Sequence, residues 1–337
     1  MSGLQMTDTF SVDPVGTAFM CFLYMGVGIV STLCNLVNLA VFFSTKEFRE
    51  KYLFYIILDL GELVNAIAYI VTGQGRLREL WAGELTEPHS VAACFFQHPW
   101  PILLILGMEL VTITIVILSL ERICAVVAPI QFKNFFLSPC KWLIVLVIPA
   151  FGLTSLVIAG YSAMTDRSLK TATGHCGIIT STSQWFSTFH FTFIMFAYMS
   201  AFWSCLFVWH TFRGRSHGTR KLRVMVVLVG ISAVLVSIPS LINIFMRFGL
   251  FDLSDFYYSI SYSLPGFLSI ANTVVNFSLR PDVRRRFLVL FLRRHNLTLH
   301  YHHEGSSSST HHTTQTHPIR HHSVDLHFPR HNFLHHN

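Results

Sequence analysis

At 337 residues, of which 52% are hydrophobic and 12% charged, this chain departs from an ordinary soluble domain, where about 25% of residues carry charge. A mean hydropathy of +0.51 puts most of it in lipid, as one membrane bundle rather than the two soluble domains that length alone suggests. The formal net charge of +7 does not mark a nucleic-acid partner, because the basic residues segregate by loop instead of forming one patch.

Residues 1–16 hold Asp8 and Asp13 but no Lys, Arg or apolar core, so they read as a short N-terminal segment without a cleavable signal. The first apolar run is expected to act as its own targeting signal. Seven such runs follow, at about 17–43, 52–73, 98–126, 142–164, 186–212, 222–247 and 256–279. Each is near the length a helix needs to cross a bilayer. Run one carries Asn35, an amide that needs a partner in lipid. Run two carries Asp59 and Glu62, three residues apart and so on one helix face. Run three carries Glu109 midway, and its apolar stretch from Ile102 to Leu120 stops at Glu121-Arg122, with Pro129 beyond. An acid–base dipeptide of this kind marks the exit from the bilayer. Trp142, near the start of run four, reads as an interfacial anchor. Pro239 removes a backbone donor from run six and should kink it. Run seven ends Asn272-Thr273-Val274-Val275-Asn276.

Past run seven, Pro281 and Asp282 suit the first turn of a helix. Val283, Phe287, Leu290 and Phe291 recur at helical spacing opposite the arginines, predicting an interfacial amphipathic helix within 280–294. Residues 295–337 hold 13 of the 19 histidines and a serine run, and read as a disordered tail. Its histidine pairs lack a fixed scaffold, so no metal site is expected.

Lys and Arg residues orient the bundle. Nineteen of the 24 fall in loops 1–2, 3–4 and 5–6 with the flanks of runs three and seven, and five on the other side. Basic loops stay in the cytoplasm, which predicts a multi-pass cell-membrane protein with its N-terminus outside and C-terminus inside. An even number of spans would spoil this segregation. Of seven cysteines, only Cys94 and Cys176 fall on the outer side, where disulfides persist. The Asn-x-Ser/Thr matches at Asn276 and Asn296 fall in a helix and in the cytoplasm, so neither is expected to be glycosylated.

The stretch Glu121-Arg122-Ile123-Cys124-Ala125-Val126-Val127-Ala128-Pro129 resembles the end of the third helix of rhodopsin-like G-protein-coupled receptors. There an Asp/Glu-Arg-aromatic triplet precedes a proline at this spacing. Asn35-Leu36-Val37 resembles the family's Asn-x-x-Val, whose amide pairs with an acid on helix two. By count from Asn35 that acid is Glu62; by its flanks, Leu58-Asp59-Leu60, it is Asp59. Asn272 matches the first residue of the family's Asn-Pro-x-x-Tyr, and 277–287 has the spacing of its short juxtamembrane helix. Cys94 and Cys176 match its common disulfide, though Cys94 lies nearly a turn farther from Arg122 than is usual. Other positions depart: Val236-Ser237-Ile238-Pro239 replaces Cys-Trp-x-Pro, and run five has no proline. Leu104 stands where amine receptors carry an aspartate, and run seven has no lysine for retinal. This combination resembles the nematode serpentine chemoreceptors.

The resemblance covers 17–294 and implies an all-α, seven-helix receptor that is not an enzyme and holds no cofactor. It would pass a signal from a small extracellular ligand to a heterotrimeric G protein. Glu121, Arg122 and Pro129 would form the coupling end, and Cys94–Cys176 the disulfide. Asn35, Asp59 or Glu62, and Asn272 would form a core polar cluster, with Pro239 the kink. Glu109 either meets a ligand or bonds a neighbouring helix. The family's helix-six acid is missing from Arg220-Lys221-Leu222-Arg223, so only Glu121 or a hydroxyl is left to restrain Arg122. A neuropeptide receptor is the alternative. A seven-span channel or transporter would need a polar path through several helices or inverted repeats, and the acids sit on runs two and three only. No metal-ligand pair at helical spacing and no nucleophile elbow occurs in the runs.

Overall fold

A chain without water around it must close its own backbone hydrogen bonds, and this one closes them as helices. The computed structural model describes residues 14–136, 140–169, 175–212, 219–250 and 255–291, and no strand occurs among them. In chain order the helices are α1 (Pro14–Phe43), α2 (Lys46–Lys51), α3 (Leu53–Ala82), α4 (Val91–Gln97), α5 (Pro99–Val127), α6 (Pro129–Phe136) and α7 (Cys140–Thr165). They continue as α8 (Ile178–Ser181), α9 (Gln184–Phe212), α10 (Thr219–Arg247), α11 (Asp255–Ser263), α12 (Leu268–Leu279) and α13 (Pro281–Phe291). Six of them (α1, α3, α5, α7, α9 and α10) are long and apolar enough to cross a membrane. Leu146, Val157, Phe196 and Phe207 stand exposed on their outer faces, as lipid-facing side chains do.

The seventh run is not one helix. α11 gives way to a 3-10 turn at Leu264–Phe267 before α12 begins, so neither piece is long enough alone to count as a span. Hydropathy reads straight through this interruption, but Pro265 has no N–H to continue the ladder. Neighbouring helices engage the carbonyls around the break. The Tyr69 hydroxyl donates to Tyr262 O at 2.7 Å, and Ser31 Oγ donates to Gly266 O at 2.7 Å. A Cβ on Gly266 would lie 2.8 Å from Val27 Cγ1, so the turn packs tightly on α1.

α3 runs nine residues past the predicted end of run two. The hydropathy signal fades after Gly73, yet Arg76, Leu77, Arg78, Glu79 and Leu80 are good helix formers. Gly83, at φ 77°, ends the helix in the left-handed conformation. Cys94 sits on α4, separated from α5 by extended His98, with Pro99 opening α5, so the extra residues between Cys94 and Arg122 belong to a distinct short helix.

Neighbouring helices close a ring in the order α1, α3, α5, α9, α10, α12 and back to α1, with α7 packed outside against α5. The α1–α3 contact depends on small residues: a Cβ on Gly73 would come 2.5 Å from Cys21 O. Close helix approach of this kind is how bundles associate without a hydrophobic driving force.

α13 follows α12 after Arg280. Pro281 opens it, Val283 is buried, and Phe287 packs on Phe277 with ring centroids 4.9 Å apart. Asp282 accepts hydrogen bonds from Lys51 Nζ at 2.9 Å and from the Tyr52 hydroxyl, while Arg286 Nε donates to Ser44 Oγ at 2.7 Å. Most of the N-terminal segment (1–13) and the histidine-rich tail (295–337) lie outside the described residues.

Candidate functional site

The predicted site residues lie at three levels of the bundle. At one end, where α5 stops, Arg122 Nη2 lies 3.4 Å from Glu121 Oε2, both side chains half-buried. The second contact of Arg122 is the Tyr55 hydroxyl on α3. Tyr55 is a junction: its hydroxyl also meets Met225 Sδ on α10 at 3.6 Å, and the Arg280 guanidinium lies 3.8 Å over its ring. Arg280 is itself nearly buried and caps α12. One tyrosine therefore touches α5, α10 and the end of α12 from its place on α3. Ala128 breaks α5 and Pro129 starts α6, a position where its missing N–H costs nothing. The side chains of Arg220 and Lys221 lie outside the described residues.

Midway, the polar side chains of α1, α3 and α12 meet in two adjoining sets. Asn38 Nδ2 donates to Asp59 Oδ1 at 3.3 Å and to Thr273 Oγ1 at 3.0 Å. Asn35 Nδ2 donates to Ser269 Oγ at 3.1 Å, and Asn272 Nδ2 donates to Glu62 Oε1. Both acids of run two are thus engaged, Asp59 by α1 and Glu62 by α12. Sequence reading named Asn35, Asp59, Glu62 and Asn272. It missed Asn38, although Asn38 lies three residues from Asn35 and hence on the same face. It also missed Ser269 and Thr273, because hydroxyls are too common in apolar runs to signal a role.

Glu109 is fully buried between α5, α7 and α9. Its Oε1 accepts from Ser155 Oγ at 3.1 Å and lies 2.8 Å from His190 Nδ1. Glu109 therefore bonds neighbouring helices, and both partners went unnoticed in the sequence. Pro239 lies inside α10 and lines a small cavity in the bundle centre.

At the other end, Cys94 and Cys176 are bonded across 82 residues of sequence. The linked loop is held from two helices: Trp100 Nε1 donates to Cys176 O at 2.9 Å, and Arg76 Nε to His175 O at 2.8 Å. Burial, helped by the Arg76 charge, pushes the His175 imidazole down to about 3, so it is neutral beside that arginine. His98 Nδ1 lies 3.1 Å from Glu79 Oε1, and burial, with His89 nearby, holds this imidazole below its usual value too. Among the described residues no group of three or more His, Cys, Asp or Glu is placed to hold a metal ion. In comparison with known proteins, the chain matches no family model and no curated protein.

Proposed function

We propose that the chain is a rhodopsin-like G-protein-coupled receptor of the chemoreceptor kind. In this reading α11, the 3-10 turn and α12 together make the seventh span, and α13 lies along the cytoplasmic membrane surface. The Arg122 end then faces the cytoplasm, and the disulfide end faces outside.

The observation that carries the reading is the setting of Arg122. It stands at the end of α5, at a junction where one residue, Tyr55, links α3, α5, α10 and α12. Glu121 and Arg122 are neighbours on α5, so their ion pair does not hold α5 to other helices. The hydrogen bond to Tyr55 does, at about 0.5–1.5 kcal/mol, so separating these helix ends requires little energy. A signal binding at the outer half shifts the bundle toward a state in which Arg122 is released to contact a G-protein α-subunit. The Cys94–Cys176 bond supports the reading by tying the loop before α9 to the top of the bundle. The α13 latch to the α1–α2 connection supports the juxtamembrane assignment.

The test is guanine-nucleotide exchange on heterotrimeric G proteins reconstituted with the full-length protein. Arg122→Ala should abolish exchange while leaving surface expression intact. Wild-type exchange by this variant would refute the coupling role.

A further inference from the structure

A group of side chains at the disulfide end belongs neither to the coupling end nor to the polar core. His98 joins α4 to α5, and its ring meets two others. The Trp100 ring lies 4.5 Å away between centroids, and the His89 ring stacks at 5.8 Å with the planes 20° apart. His98 Nδ1 lies 3.1 Å from Glu79 Oε1, near the end of α3. The His98 side chain is 15% exposed, so a solvent proton reaches it although most of its hydration is lost. Trp100 in turn donates to Cys176 O, which puts His98 one ring away from the hold on the disulfide loop.

Imidazole is the side chain whose charge changes between about pH 5 and 8. Two stacked imidazoles cannot both become cations without repelling each other. The surroundings do little to offset that repulsion. Glu79 is the acid in contact with His98, but Arg76 and Arg78 also draw on its charge, with Glu84 opposing them from the turn after Gly83. Cys21 on α1 faces the same pair, Arg76 and Glu79. Arg76 itself is committed to His175 O and lies 5.9 Å over the Tyr24 ring. His175, at about 3, is neutral throughout this range and adds no charge. α4 and α8 contribute no charged side chain. His98 also stands at the N-cap of α5, where the helix dipole opposes a positive charge. Neutral, the rings pack; doubly charged, they part.

We propose that His98 and His89 form an acid-operated clasp beside the disulfide: neutral, the two rings hold residues 83–90 against the start of α5, and protonation of both separates them. As the input of a receptor, outer acidity rests on the preceding section; the opening itself does not. The sign follows from burial. Burial first, and then His89, holds the His98 imidazole below its usual value. A histidine so held contributes fully above its unfolded value, near 6.5, and that contribution is lost as pH falls through the folded one. The clasp therefore loosens below about pH 6.5, and not above it.

The test is backbone hydrogen exchange on the full-length protein in lipid nanodiscs at about pH 7.5 and 5.5, corrected for the intrinsic effect of pH on exchange. Wild-type protection over residues 83–97 should fall at least about threefold at the lower pH, with α13 unchanged. His98→Phe keeps a ring but takes no proton, and should show the same protection at both pH values. His89→Phe, which leaves His98 without a charge to repel it, should also lose the step. Melting at neutral pH identifies a variant that fails to fold, and the other variant then decides. Equal wild-type protection at both pH values overturns the proposal, as does the full step in either folded variant. Nucleotide exchange in the same nanodiscs separates the two claims. A His98-dependent acid step with no exchange at either pH defeats the receptor reading alone. Arg122-dependent exchange with no acid step at the disulfide end defeats this proposal alone.

Discussion

Tyr55 ties Arg122 to three other helices. Its hydroxyl hydrogen-bonds Arg122 from α3, and Arg280 stacks on the ring that presents it. Tyr55→Phe keeps the ring and the stacking but deletes that hydroxyl. Loss of one hydrogen bond worth about 0.5–1.5 kcal/mol should raise basal nucleotide exchange about 2- to 10-fold. Glu121→Gln should act in the same direction and more weakly, since its ion pair with Arg122 lies within α5, at 3.4 Å, and does not join it to another helix. Basal exchange at wild-type level in Tyr55→Phe would remove Tyr55 from the restraint. The sequence limited the partners of Arg122 to Glu121 or a hydroxyl, because no acid stands at the start of α10. It had no means of choosing among the hydroxyls: Tyr55 lies 67 positions away on another helix. The polar core was legible for a related reason and to a similar depth. Acids and amides are conspicuous in apolar runs, whereas Ser155, His190, Ser269 and Thr273 acquire meaning only from what packs opposite.

Among the elements, the helices that hydropathy describes best are those whose ends coincide with a change of solvent. α5 and α9 match their runs to within two residues at each end. The run that became α11, a turn and α12 did not, because Pro265 acts on the backbone ladder and hydropathy is blind to ladders. α13 was legible from Pro281, Asp282 and the spacing of its apolar residues, but its latch to Ser44, Lys51 and Tyr52 was not. That latch makes a prediction with a definite sign. Burial works to raise the Asp282 carboxyl, yet hydrogen bonds from Lys51 and Tyr52 win and hold it at about 2. A depressed carboxylate contributes fully above its unfolded value, near 3.9, and its contribution is lost as pH falls through about 2. Acidification to pH 5 should therefore leave α13 docked. Asp282→Asn should loosen it at neutral pH, seen as faster backbone hydrogen exchange over 281–291 with the six long helices unchanged. Equal protection in variant and wild type would mean that Phe287, Val283 and Arg286 hold the helix without it.

At the scale of the whole molecule, the ring of helices is closed at one end by side chains and at the other by a covalent bond. The Arg122 end is joined through Tyr55, which meets Arg122, Met225 and Arg280 by separate side-chain contacts, the hydrogen bond to Arg122 among them worth about 0.5–1.5 kcal/mol. The disulfide end is held by Cys94–Cys176, by Trp100 on Cys176 O and by Arg76 on His175 O. This asymmetry is what the proposed receptor would require, and its covalent half was visible in the sequence as two cysteines set apart from the other five. The second half was not: an arginine and a tryptophan reach backbone carbonyls, which no sequence pattern marks. Closing a loop of 82 residues should stabilise by about 2–4 kcal/mol through the unfolded chain. Replacing both cysteines with serine should lower the melting temperature in detergent, and reductant should produce the same shift in the wild type but none in the double variant. Trp100→Phe, which removes one hydrogen bond and part of a buried ring, should cost about 1–3 kcal/mol in the oxidised protein. That loss should add to the loss of the bridge only in part, because both act on the same loop. Peptide mapping that finds both thiols free on surface-expressed protein would remove the covalent half of this clamp.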